Sequence, residues 1–240
     1  MSQLDENGIP QLSANDIEMK AEEVIEFFRP EVLKGPCQTP IESFAQETAL
    51  RFNFAFDSSR ELGQGPFGHK ILGMFSFQPR MILIDKSLAE NPRRFFTLGH
   101  EYGHFVLHRN LIIKKKGYSD MDISDTEHDL VTGKKVLSTP RDWLEWQANR
   151  FASAILMPRA TIHDALVSVQ DSLGIRRNLG RIYLGPVGYS IVDYRGTILG
   201  LQQIYKVTRT NLRFRLNELG LLIDTRRKDV RHISELLREG

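Results

Sequence analysis

The chain has 240 residues, 41% of them hydrophobic and 26% charged, with a formal net charge of +2. That composition is ordinary for a soluble globular protein of one large domain, or a domain with an appendage. A single cysteine, Cys37, excludes an internal disulfide framework and fits a reducing compartment. No apolar run reaches membrane-spanning length, and the first residues carry Asp5 and Glu6 instead of a basic stretch. Neither a membrane span nor a secretory signal is expected, so the expected location is cytoplasmic.

Taken in order, residues 1–13 read as a flexible leader. Asn15 or Asp16 is placed to cap a helix carrying Ile17, Ala21, Val24, Ile25 and Phe28 at helical spacing, which ends at Arg29-Pro30. A turn-rich linker over 35–40 follows, and Thr39-Pro40 opens a second helix to about Leu50. Phe52, Phe54 and Phe56 alternate as in a strand. Residues 73–77 and 80–85 read as two more strands on either side of Pro79.

Asn91-Pro92 then starts a helix that runs to about His108. On its wheel Phe95, Leu98, Tyr102, Phe105 and Val106 gather on one side, while Arg93, Thr97, His100, Glu101 and His104 gather on the other. This segment contains His100-Glu101-Tyr102-Gly103-His104, an H-E-x-x-H pattern. Histidines four apart stand one above the other on a helix, so both imidazoles can reach one zinc ion. The glutamate beside the first is then placed as general base for a water activated by the metal. Gly99 and Gly103 each cost about 1 kcal/mol of helix propensity relative to Ala, and are expected to let another element or the substrate approach the backbone.

A catalytic zinc needs a third protein ligand. His108 continues the spacing, but it lies about 11 Å along the axis from His100, so a capping or supporting role is expected. Residues 109–138 are polar and irregular, and a connection that long is expected to be functional, covering a cleft, or disordered. Thr139-Pro140 with Asp142 marks another helix start, and the helix stops at Met157-Pro158. Glu145, Asn149, Ala152 and Leu156 share one face, flanked by Ala148. Those small residues would let the helix lie close to the His100 helix, with Glu145 reaching the metal and Asn149 supporting a ligand.

Beyond Pro158 a short helix over 160–167 is expected, then a turn-rich stretch, then a hairpin over 189–199 with Arg195-Gly196 at its turn. The last 40 residues read as helical, with 201–205 and 209–219 resembling a helix-turn-helix pair. Residues 205–240 hold nine Lys/Arg against five acids, which leaves direct DNA binding through 201–231 open.

Three blocks resemble the ImmA/IrrE family of zinc metallopeptidases. Phe95-Phe96-Thr97-Leu98-Gly99-His100-Glu101-Tyr102-Gly103-His104, with Leu107-His108 after it, resembles the family's F-T-L-A-H-E-L-G-H segment. Glu145, Ala148-Asn149, Phe151-Ala152 and Leu156-Met157-Pro158 are similar to its E-x-x-A-N-x-F-A-x-x-L-L-M-P block, and residues 207–222 to a later block. Gly99 and Tyr102 depart from the first motif without removing a ligand. The resemblance implies an α+β, gluzincin-type fold: a small mixed sheet packed on the H-E-x-x-H helix over residues 14–160, and a mostly helical part over 161–240. In zincin-type peptidases an edge strand lies beside the zinc, here expected at 80–85, where an extended substrate could add as a strand.

The combined expectation is a zinc endopeptidase. His100, His104 and Glu145 are the expected ligands, Glu101 the catalytic base and Asn149 a support. Kinship implies a helix-turn-helix repressor as the protein substrate, in a bacterial stress response, mobile element or phage. The alternatives are a zinc-bearing anti-repressor acting by binding, and a DNA-binding regulator.

Overall fold

The computed structural model describes residues 10–65, 68–77, 79–109, 123–126 and 139–226. Most of the expected cleft cover (110–122 and 127–138), most of the leader, and residues 227–231 of the candidate DNA-binding stretch lie outside them. The fold is mixed α+β, and two units divide the chain: Met1–Pro30 with Thr39–Pro158, and Glu31–Gln38 with Arg159–Gly240.

In the first unit, helix α1 (Ala14–Phe28) begins two residues earlier than a cap at Asn15 would give, and three earlier than one at Asp16. Ser13 is the cap and Asp16 the third helical residue, each side chain accepting from the other's backbone N–H in a capping box. Helix α2 (Ile41–Phe52) runs two residues past the expected end and closes on Asn53 in the left-handed conformation. The strand read at 52–56 is therefore shorter and later: β1 is Ala55–Asp57. Strands β2 (Ile71–Phe77) and β3 (Arg80–Ile84) lie where two strands were expected and pair as a hairpin, and β4 (Ile123–Thr126) falls between the two undescribed stretches.

The sheet order is β1-β3-β2-β4. This corrects the edge expected at 80–85. β3 pairs in parallel with β1 (Phe56 opposite Ile82) and antiparallel with β2 (Phe75 opposite Ile82), so both its sides are taken. The alternation within a strand tells which face is buried but not which strand is its neighbour.

Helix α3 (Arg93–His108) lies between this sheet and helix α4 (Pro140–Leu156), with α1 packed on α4. Asn91 accepts the Arg93 N–H at 2.9 Å, and Thr139 and Asp142 close a second capping box at the start of α4. Phe105 fills the space under the sheet against Phe54, ring centroids 4.4 Å apart, and Phe75. Every residue from Phe96 to Phe105 is buried, polar face included. The side bearing the histidines is thus an interior surface and not a solvated one.

In the second unit, helix α5 (Arg159–Ser172) is nearly twice the expected length. The hairpin expected over 189–199 is absent: helix α6 (Gly188–Tyr205) runs straight through it. A Cβ at Gly200 would sit 2.4 Å from a Val169 methyl, and one at Gly196 3.1 Å from Leu173. These glycines let α5 and α6 meet, and that packing outweighs their turn-like local preference. Helix α7 (Arg209–Glu218) follows with Thr208 as its cap. Strands β5 (Ile182–Leu184) and β6 (Leu222–Asp224) pair in parallel within this mostly helical part, and β6 is a strand inside the last 40 residues, which read as helical. Leu201, Tyr205, Leu212 and Leu216 are buried, so the pair read as helix-turn-helix supplies this unit's own core. Among the described residues no helix is long and apolar enough to cross a membrane.

Candidate metal centre

Two close-packed helices build the centre. A Cβ at Gly103 would meet the Ala148 backbone at 3.3 Å and Phe151 at 3.1 Å, and one at Gly99 would touch Ala152 at 3.4 Å. Glycine on α3 facing alanine on α4 brings the two backbones together, so that a short side chain on α4 can reach side chains on α3.

At this contact the His100 and His104 Nε2 atoms are 3.0 Å apart. Glu145 Oε2 lies 3.2 Å from the first and 3.9 Å from the second. Ligand atoms about 2.0–2.2 Å from a tetrahedral zinc are about 3.3–3.5 Å from one another, so this triangle brackets the size that zinc requires. Both histidines are fully buried, while the Glu145 side chain is 23% exposed and marks the open side. The residues fit a divalent cation.

Burial pushes the His104 imidazole down to about 4 and His108 down to about 3, so both are neutral at pH 7. At Glu145 burial opposes ionisation, but the neighbouring His100 and His104 outweigh it and hold the carboxyl well below its usual range. The centre therefore offers two imidazoles and a carboxylate, and any proton on an Nε2 would be released as a cation enters.

The Glu101 carboxylate lies within 4.8 Å of the ligand atoms of both histidines, close enough to share one small molecule with them. By proximity alone Glu101 could complete a His100-Glu101-His104 ligand set instead of Glu145. The direction of the side chains favours Glu145, whose oxygen comes to 3.2 Å of an Nε2 from the opposite helix. Glu101 is held by strand β2: a Cβ on Gly73 would stand 2.7 Å from its Oε1 and 2.6 Å from the Thr97 methyl. Gly73 also sits where the β2–β4 register shifts. A glycine inside a strand signals such close approach, a cue present in the sequence but not used in reading it.

Asn149 Oδ1 is 3.0 Å from His100 Nδ1, the nitrogen turned away from the cluster. All five residues singled out from the sequence thus meet at one place. His108 is near but turned aside, with its Nδ1 3.0 Å from His104 Nδ1. Gly73 and Gln147 are the neighbours that sequence reasoning missed.

Residues 64–181 match the family model described as the IrrE N-terminal-like domain, Peptidase_M78. That segment is of the ImmA/IrrE family. The matched segment holds α3, α4 and the whole cluster, and makes the chain a metallopeptidase of the ImmA/IrrE type. It stops short of the block at 207–222. A comparison with curated proteins found no match.

Proposed function

We propose that the protein is a zinc-dependent endopeptidase of the cytoplasm that cleaves one partner, a helix-turn-helix repressor, in a bacterial or phage regulatory circuit. The observation that carries the catalytic part is the convergence of two imidazole nitrogens and a carboxylate oxygen, with a second carboxylate within 4.8 Å. His100, His104 and Glu145 would hold zinc, which supplies a Lewis acid that makes water acidic and polarises the peptide carbonyl.

Glu101 takes a proton from the attacking water and passes it to the departing amine. Its burial between Gly73 and Thr97 keeps bulk water from competing for that proton. Asn149 orients His100, and the exposed side of Glu145 is where a peptide enters. The repressor substrate rests on family kinship, and the lone cysteine suits a reducing compartment.

The test mixes the zinc-loaded protein with the repressor encoded beside it. Wild type cleaves at one site, and Glu101→Gln loses about 10²–10⁴-fold in rate while keeping zinc. If Glu101→Gln relieves repression with the repressor uncut, the protein acts by binding.

A further inference from the structure

Next to the cluster lies a chain of buried polar side chains that the reaction does not use. Gln147, on α4, is 1% exposed, and its Nε2 donates to the Pro10 carbonyl at 2.8 Å. A carbonyl only accepts, so this bond sets which way round the amide lies. The Gln147 oxygen therefore faces His108 Nε2, 3.1 Å away, and must accept from it. With its proton on Nε2, a neutral His108 has a lone pair on Nδ1. The atom 3.0 Å from that lone pair is His104 Nδ1, which must donate. A neutral imidazole carrying its proton on Nδ1 has a bare Nε2, and the Nε2 of His104 is the atom that faces His100 and Glu145.

We propose that Gln147 and His108, anchored on the Pro10 carbonyl, are positioning residues that fix the proton of His104 on Nδ1 and so present its Nε2 as a lone pair for metal. The inference rests on the metal centre proposed above. It gives the third histidine of the H-E-x-x-H helix a task that the ligand distances deny it, because its Nδ1 is turned to the back of His104. It also ties the segment preceding α1 to the centre, across 137 residues of sequence.

Each member restricts the next. An imidazole free to choose its tautomer spends part of its time with a proton where the metal must bind, and its ring can swing about χ2. A second hydrogen bond on the far nitrogen removes both freedoms, and loss of such a partner typically costs about 10–100-fold in metal affinity. His100 has a shorter version of the same arrangement, with Asn149 Oδ1 3.0 Å from its Nδ1. The two ligand histidines are thus supported from α4 by two residues, Gln147 directly behind His108 and Asn149 without an intermediary.

The experiment uses the full chain, 15N-labelled on histidine, with and without zinc. Wild-type uptake of one zinc per chain establishes the centre itself, and its absence would refute that reading separately. With zinc bound, the relay requires the Nδ1–H form of His104, the Nε2–H form of His108, and a through-hydrogen-bond coupling between their two Nδ1 atoms. Gln147→Leu leaves His108 in place but without an acceptor. It should lose the single His108 form and weaken zinc about 10–100-fold. Gln147→Glu keeps an acceptor and should retain most of the affinity. A His108 protonated on Nδ1 in the zinc-loaded wild type, or unchanged zinc affinity in a folded Gln147→Leu protein, would overturn the relay.

Discussion

Two helix pairs in this chain use glycine in the same way to different ends. On α3, Gly99 and Gly103 admit α4 to van der Waals contact with the backbone. On α6, Gly196 and Gly200 admit α5, with a closest approach of 2.4 Å for an added Cβ. In the first pair the close approach brings a carboxylate on one helix to two imidazoles on the other. In the second the facing side chains are Val169 and Leu173, and the result is a hydrophobic core. The same backbone device therefore supports chemistry or stability according to which side chains stand beside the glycines.

The comparison can be broken at Gly103. Gly103→Leu must displace the Ala148 backbone and Phe151, which lie 3.1–3.3 Å from its Cβ. Overpacking of this kind costs about 1–3 kcal/mol. The larger effect should be functional: α4 carries Glu145 away from the imidazoles, and zinc affinity falls more than about 100-fold. Isothermal titration of the folded variant measures this.

Gly200→Ala is the counterpart. Its added methyl falls 2.4 Å from Val169, so strain outweighs the gain of about 1 kcal/mol in helix propensity. Denaturation should show a loss of about 1–2 kcal/mol, with zinc affinity unchanged. Adding Val169→Ala should restore much of the stability, because the two changes share one contact.

Acid distinguishes the two pairs by a smaller margin. His104 and His108 have their folded pKa values lowered, to about 4 and about 3, against about 6.5 unfolded. Unfolding then takes up protons below pH 6.5, so the stability these groups contribute is full above that value and is lost as pH falls toward 4. The zinc-free protein should lose stability progressively as pH falls below 6.5. The second unit holds neither of these two histidines and serves as the reference. Hydrogen exchange at pH 7.5 and 5.5 separates the two regions.

The contrast between the pairs also explains what the sequence revealed. Around α3 and α4 several cues agreed: caps at Asn91 and Thr139, a stop at Pro158, and ionisable residues sorted to one face. The five candidate residues that meet at the centre could be read from them. At α6 the cues conflicted. Gly188, Gly196 and Gly200 with β-branched Ile191, Val192 and Ile198 favour a hairpin locally, and only Val169 on α5 and Leu173 just past its end reverse that. Strand order was illegible for the same reason, since nothing within 80–84 names its neighbours. Gln147 was missed because its value depends on Pro10, a residue distant in sequence.

Zinc titration of two glutamate variants tests the central claim most directly. If Glu145 is a ligand and Glu101 the base, Glu145→Gln weakens zinc by about 100-fold or more, while Glu101→Gln binds like wild type. The reverse result, with Glu145→Gln binding normally and Glu101→Gln empty, would contradict the account and place the metal on His100, Glu101 and His104.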